Sequence, residues 1–294
     1  MSWIGVDWGT SSLRGARFDD GGAVLEERAF ARGILTVAKG GFAAVFDELF
    51  GDWMSVAGTR CLISGMAGSQ QGWMEAPYCA CPASLEQVIA RLAWVEAGRI
   101  AIVPGLSCEH TGVPDVMRGE ETQVFGALRL LNLARGVFVL PGTHSKWAEV
   151  EGGRIERFTT LMTGEFYALL RQHSILARTL PTDDVALIET AFDAGLDHAL
   201  RSPGLMQSAF SVRTLSLFER MPLNERPSYL SGLVIGEELR TRHPIGDEAI
   251  TVIGDPALTR RYERALARCG VQAHSVGAQA TWNGLWSLAQ RITP

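Results

Sequence analysis

One pattern occurs twice in this chain and restricts what it can become. The apolar residues Trp3–Val6 lead through Asp7 into a small-residue turn, Gly9-Thr10-Ser11-Ser12. Arg14–Phe18 then resumes an extended pattern, and Asp19-Asp20-Gly21-Gly22 turns again. Much later, Val137–Leu140 is apolar and Pro141-Gly142-Thr143-His144-Ser145 is a small-residue turn. Lys146–Val150 returns, Glu151-Gly152-Gly153 turns, and Arg154–Thr160 completes a third strand. Both copies read as strand, Gly-Thr turn with Ser two residues on, strand, Gly-Gly turn. They share little residue identity, so the repeat is architectural. It predicts two similar domains, each offering a Gly-Thr tip to a shared cleft.

The chemistry of the first tip is readable from residue types. Successive backbone N–H groups in a Gly/Thr/Ser turn can form an anion-binding concavity, and small side chains leave room for a phosphate. An acid beside it repels phosphate unless a divalent cation lies between, and Mg²⁺ is commonly held by one or two carboxylates plus phosphate oxygens. Asp7 followed by Gly9-Thr10 therefore suggests a Mg-nucleotide clamp. The same residues also make an ordinary tight hairpin with a solvated Asp.

The 294 residues exceed the usual single core, which again points to two domains. A net charge of −5 argues against nucleic acid as the main partner, since phosphate-backbone binding needs a basic face; a local basic pocket for a small anion remains compatible with it. The five cysteines, Cys61, Cys79, Cys81, Cys108 and Cys269, lack the paired spacing of a zinc site and are expected as reduced thiols. With no basic-then-apolar leader and no apolar run of membrane-spanning length, the expectation is a cytoplasmic protein without a membrane partner.

Along the chain, apolar residues at 42, 45, 46, 49, 50 and 53 predict a helix over Phe42–Met54. A buried strand at Thr59–Ser64 runs into a polar loop at 65–72. Leu85–Trp94 reads as a helix, Arg99–Val103 as a strand, 104–119 as a second polar loop, and Glu120–Leu133 as a helix. Strands alternating with helices indicate an α/β fold with a partly parallel sheet, and ligands usually bind at loops after the carboxyl ends of such strands. Glu121 in a first helical turn suits the helix dipole without any catalytic role; Asp115, Arg118 and Glu120 cluster more suggestively. After the second copy of the repeat come a helix from Thr163, a helical insertion over about 181–220, and a helix at Tyr229–Thr241. There Gly232 and Gly236 imply close packing or a nearby ligand. A strand at 249–253, a helix at Leu258–Cys269, a strand at Val271–Val276 and a helix at Ala278–Ile292 follow. The domains are expected as 1–133, rejoined by the C-terminal segment 277–294, and 134–276.

Three elements stand in order: DWGTSS at 7–12, LPGTHS at 140–145, and VIGDP at 252–256 before a helix. This order resembles the fold shared by actin, hexokinase and the sugar kinases. More closely, the chain resembles the 2-dehydro-3-deoxygalactonokinases, through DWGTSSLR at 7–14, ISGMAGSQQGW at 63–73, VPGLS at 103–107, PDVMRGEETQVFGA at 114–127, LPGTHSKW at 140–147, MTGE at 162–165, HSIL at 173–176 and IGDPALTRRYERAL at 253–266. The resemblance implies a two-lobed, actin-like ATPase (ribonuclease H-like) α/β fold with the active site in a cleft between the lobes. It also implies ATP-dependent phosphorylation of 2-dehydro-3-deoxy-D-galactonate at its 6-hydroxyl, a step of galactonate catabolism. Phosphoryl transfer needs positioning and charge neutralisation more than covalent chemistry. Asp7 is then expected to hold Mg²⁺. Gly9, Thr10, Ser11 and Ser12, with Gly142, Thr143 and His144, are expected on the phosphates, and Gly254 and Asp255 beside the nucleoside.

A sugar hydroxyl calls for a carboxylate as base, and Glu120 and Asp115 are the candidates. The substrate's own carboxylate calls for a cation, and Arg118 has the planar fork to bind it. Ser64, Gln70, Gln71, Thr163 and Glu165 are further candidate substrate contacts. Trp8 and Trp73 sit at cleft-facing loops or pack the hairpin. Competing readings are a kinase of another keto-deoxy acid, such as the gluconate epimer, or of an amino sugar. Others are a nucleotide-dependent binding module and a phosphatase. A homodimer contact, if one forms, is expected on the 181–220 insertion.

Overall fold

The computed structural model describes residues 2–183, 185–242 and 250–292. Ala249 of the expected 249–253 strand, Asp184 of the insertion and residues 293–294 of the C-terminal segment lie outside them. β1 (Trp3–Trp8) buries Trp3, Ile4, Val6 and Trp8, the near-continuous apolar run of a strand covered on both faces. It pairs antiparallel with β2 (Leu13–Phe18), setting Trp8 opposite Leu13 and Asp7 opposite Arg14. β3 (Val24–Phe30) continues the meander at the sheet edge. α1 (Phe42–Met54) buries Phe42, Val45, Phe46, Phe50 and Trp53, the stripe its spacing predicted. β4 (Arg60–Gly65) then lies parallel to β1.

Two stretches depart from the sequence expectation. After β5 (Cys79–Ala80), α2 spans only Leu85–Ile89 behind a Ser84/Gln87 capping box. Trp94 belongs instead to β6 (Ala93–Glu96), antiparallel to β7 (Ile100–Ile102). Without β6 the edge of β7 would leave backbone groups that need partners, and pairing there overrides a short helix. The expected loop at 104–119 holds a hairpin, β8 (Leu106–His110) and β9 (Val113–Met117), which joins β5 in a three-stranded sheet. Its two-residue turn is Thr111-Gly112, both at positive φ (50° and 80°), the geometry that matches hairpin twist.

α3 (Glu120–Leu131) ends at Asn132 in a left-handed conformation. The second copy of the repeat is β10 (Gly136–Leu140), β11 (Ser145–Glu151) and β12 (Arg154–Leu161). Then come α4 (Thr163–His173), α5 (Glu189–Arg201), α6 (Leu205–Ser208), α7 (Ser211–Leu217) and α8 (Arg226–Arg242). β13 (Ile250–Ile253), α9 (Pro256–Arg268), β14 (Ala273–Val276) and α10 (Gln279–Ala289) complete the chain. One sheet has the order β3-β2-β1-β4-β7-β6, and the other β12-β11-β10-β13-β14. In each, a three-strand meander precedes a crossover onto the far side of its first strand, so the repeat seen in sequence is a repeat of topology.

By internal contacts the chain divides into two compact units. One is Met1–Phe138, Trp147–Thr159 and Val276–Pro294; the other is Val139–Lys146 and Thr160–Ser275. The expected boundary at 134 is thus displaced, and 147–159 groups with the first unit. The cause is local. Ala83 bridges Ile155, and the Phe158 carbonyl meets Cys108 Sγ at 3.1 Å and His110 Nε2 at 2.6 Å. In the first unit α10 crosses α3 so closely that a Cβ at Gly126 would fall 1.7 Å from Ala280 O, and one at Gly284 1.9 Å from Thr122 O. In the second, Gly232 meets Phe192 O of α5 at 2.0 Å by the same measure. Close packing, not a ligand, is what requires that glycine. All five cysteines are unbridged thiols. Among the described residues no helix is long and apolar enough to cross a membrane.

Candidate active site

In the first unit the Gly9–Ser12 turn closes with a Gly9 N–H to Ser12 O bond of 2.9 Å. The segment behind it donates Ile34 N–H to Gly9 O at 3.0 Å and Leu35 N–H to Thr10 O at 3.3 Å. A Cβ at Gly33 would fall 2.2 Å from Thr10 O, so only glycine lets that segment buttress the turn. Thr10, Ser11 and Ser12 remain exposed. Asp7, half-buried, pairs through Oδ2 with Arg14 Nη2 at 2.6 Å. Trp8 is fully buried, donates Nε1–H to Arg32 O, and stacks edge-on to Phe42 and Trp73. Its service is to pack the hairpin.

The ends of β1 and β4 and the start of α3 meet nearby. Gly65 (φ 93°) and Gly119 (φ 105°) touch backbone to backbone; a Cβ at Gly119 would lie 3.3 Å from Gly65 Cα. Positive φ and this approach both call for glycine. Ser64 is buried and donates its hydroxyl to Thr122 Oγ1 at 3.0 Å. Thr122 in turn donates to Glu121 Oε1 at 3.1 Å, and Glu121 Oε2 accepts Gly119 N–H at 2.7 Å. Ser64, expected on the substrate, is thus engaged inside the protein. Glu121 is wholly buried, and that burial, with Glu120 beside it, raises its carboxyl to about 8. Glu120 is half-buried and accepts Arg118 N–H at 2.9 Å. Asp115 lies apart from the helix start, on β9 opposite Cys108, and accepts Val116 N–H.

Arg118 is the most telling residue of this group. Its Nη2 donates to Ala76 O at 2.8 Å and its guanidinium lies 4.5 Å over the Tyr78 ring. Nε and Nη1, however, are buried without a hydrogen-bond partner. An unsatisfied buried donor costs about 1–3 kcal/mol, and a charged one suits an anion. Gln70 and Gln71 are exposed on the loop after β4.

In the second unit the Gly142–His144 turn is backed by the start of α4. A Cβ at Gly164 would fall 2.4 Å from Gly142 O, and Glu165 N–H donates to Thr143 O at 3.0 Å. A Cβ at Gly142 would meet nothing within 4 Å, so that glycine faces open space. His144 Nε2 and Glu165 Oε2 are 2.6 Å apart, which gives Glu165 a partner other than the expected substrate. Thr163 is likewise engaged within the protein, donating to Glu238. Gly254 lies beside the turn, its added Cβ 3.7 Å from Pro141 O. Asp255 is the N-cap of α9, its carboxylate accepting Ala257 N–H at 2.9 Å. A cavity of about 70 Å³ opens here, lined by Gly142, Gly164, Tyr167, Ser231, Leu258 and Arg261 among others.

Two carboxylates are buried beyond what the sequence predicts: Glu121, expected only to suit the helix dipole, and Glu238. Glu238 had a signal: it continues the 231, 234, 235 spacing of the buried face of α8, where a charge needs a reason.

Two sheets built on the same meander, each presenting a Gly-Thr turn, define the actin-like ATPase fold. A ROK family glucokinase from Streptomyces griseus, solved with glucose and AMPPNP, shares that fold at a TM-score of 0.51 and 13% identity, over 99% of this chain and 100% of that one. The model of the 2-keto-3-deoxy-galactonokinase family matches residues 7–288. A 2-dehydro-3-deoxygalactonokinase from Escherichia coli (strain K12) is 34% identical over 293 residues, 99% of this chain and 98% of the relative. A crystal structure from Sinorhizobium meliloti, described as a candidate 2-dehydro-3-deoxygalactonokinase, superposes at a TM-score of 0.92 with 35% identity over 99% of each chain. This chain belongs to the 2-keto-3-deoxy-galactonokinase family and is a phosphotransferase.

Proposed function

We propose that the enzyme transfers the terminal phosphoryl group of ATP to the 6-hydroxyl of 2-dehydro-3-deoxy-D-galactonate, giving 2-dehydro-3-deoxy-6-phosphogalactonate and ADP. The observation that carries the acid substrate is Arg118, a cation whose Nε and Nη1 are buried without a hydrogen-bond partner and so call for an anion's oxygens. Family membership supplies the reaction class and the use of ATP.

Arg118 holds the substrate's carboxylate. Glu120 takes the 6-hydroxyl proton as the oxygen attacks the γ-phosphorus, while the bond to the bridging oxygen breaks and its electrons leave on ADP. Asp115, on β9 and away from the start of α3, is the second candidate base. The turn at Gly9, Thr10, Ser11 and Ser12 and the turn at Gly142, Thr143 and His144 supply backbone N–H and hydroxyl donors to the phosphates. The nucleoside lies by Gly254, whose bare backbone adjoins Pro141 of the second turn.

The donor set at Asp7, a carboxylate beside the exposed hydroxyls of Thr10, Ser11 and Ser12, is all oxygen and fits Mg²⁺. Among the described residues no three His, Cys, Asp or Glu side chains converge, so the ion's remaining ligands would be phosphate oxygens and water. Bound there, Mg²⁺ would neutralise phosphate charge; Arg14 orients the Asp7 carboxylate for it.

The test is coupled ADP release with Mg-ATP against 2-dehydro-3-deoxygalactonate, its gluconate epimer, an amino sugar and plain hexoses. Turnover on the galacto acid, abolished in Glu120→Gln and retained in Asp115→Asn, is the expected result. Preference for the epimer or a hexose would overturn the substrate, and the opposite pattern of the two variants would move the base to Asp115.

A further inference from the structure

Beneath the second turn lies a carboxylate that neither substrate is proposed to touch. Glu238 is 2% exposed on α8. Ser145 Oγ donates to its Oε1 at 2.8 Å, and Tyr262 Oη to its Oε2 at 2.8 Å; Thr163 Oγ1 also donates to Oε2. All three donors are themselves buried. Burying a carboxylate is costly, and where only stability is at stake an apolar side chain of similar volume does as well or better. Its neighbours on α8, including Leu230, Leu233, Val234 and Leu239, are of that apolar kind.

The three donors come from three elements, and each adjoins part of the proposed ATP site. Ser145 follows His144 directly. Thr163 precedes Gly164, which packs on the Gly142 carbonyl. Tyr262 sits in α9 and, with Leu258 and Arg261, lines the small cavity against Gly142 of the turn. Burial and the adjoining carboxylate hold the Tyr262 phenol well above its ordinary value, so it remains a donor throughout the working pH range.

We infer that Glu238 is a positioning residue for ATP: its carboxylate fixes the end of the Gly142–His144 turn and the first turn of α4 against α9. The inference rests on the reading of that turn as a phosphate grip. Glu238 touches no reacting atom, so its effect is selective for the nucleotide.

The experiment is steady-state kinetics of Glu238→Gln and Tyr262→Phe with each substrate varied in turn. One hydrogen bond to a charged group lost or reversed predicts a rise of about tenfold in KM for ATP in Glu238→Gln. Tyr262→Phe gives a smaller rise in the same direction, and KM for the sugar acid stays within about twofold. A residue that only stabilises the fold lowers the amount of active enzyme and leaves both KM values where they were. Unchanged KM values, or two that rise together, overturn the inference. Should Glu238→Gln fail to fold, Tyr262→Phe, which keeps the ring, decides alone. Gly142→Ala, which adds a methyl group into open space, tests the turn itself. An unchanged ATP KM there sinks the phosphate-grip reading. A raised one there, with both Glu238→Gln and Tyr262→Phe normal, sinks only the role of Glu238.

Discussion

Arg118 and Glu121 stand close in the chain, yet only one was legible in it. The substrate's charge and the geometry of a guanidinium single out Arg118; the structure adds that two of its donors are buried without partners. If it holds the sugar acid's carboxylate, Arg118→Lys replaces a fork by a point charge. The KM for the acid then rises about 10- to 100-fold with kcat nearly constant, from the 1.5–3 kcal/mol typical of charged hydrogen bonds; titration of both substrates checks it. Glu121 read as an ordinary first-turn acid because its burial, and the chain from Ser64 through Thr122 that reaches it, depend on contacts no local pattern reveals. Its pKa near 8 against an ordinary value of 4.5 means the folded state holds a proton that the unfolded state has released between those pH values. That contribution to stability is complete below about 4.5 and declines as pH rises, by roughly 1.4 kcal/mol per unit until about pH 8. Glu121→Gln, permanently neutral, should therefore flatten the fall in denaturation midpoint between pH 5 and 8. A wild-type midpoint that already shows no such fall would contradict the assignment.

The elements divide by how local their causes are. The hairpins and α1 were readable because period, small-residue turns and apolar spacing lie within each segment. β6 was not: its strand state comes from the edge of β7, and a tryptophan after a short amphipathic run reads equally as helix. The β8–β9 hairpin carried its signal in Thr111-Gly112, overlooked beside the polar run that follows. Gly232 and Gly236 left packing and ligand as alternatives, and the crossing of α5 and α8 decides for packing. A Cβ 2.0 Å from the Phe192 carbonyl cannot be relieved by a side-chain rotation. Gly232→Ala should therefore destabilise despite its gain in helix propensity, by at least the roughly 1–3 kcal/mol of ordinary overpacking. Gly142→Ala, with open space around it, should leave the melting temperature unchanged. Equal melting temperatures for the two variants would refute this account of α8.

The two compact units are interleaved along the chain, the first taking its last segment from Val276–Pro294, and the proposed site residues divide between them. Arg118 and Glu120 belong to the first unit. The 142–144 turn, Glu238 and the cavity near Leu258 and Arg261 belong to the second. Sequence order alone suggested that division through the repeated turn; the grouping of 147–159 with the first unit escaped it, since Ala83 and Phe158 meet partners distant in sequence. Binding stabilises what it binds: a ligand at 100 times its Kd adds about 2.7 kcal/mol, and amides whose exchange needs the bound structure to open slow accordingly. Mg-ATP alone should therefore protect amides at 142–146, 163–167 and 256–262, whereas the sugar acid alone should protect those around 64–78 and 117–122. Hydrogen exchange with each ligand separately tests this. Protection by the sugar acid in the ATP segments, with none around Arg118, would detach the acid site from Arg118 and leave the kinase without its proposed carboxylate anchor.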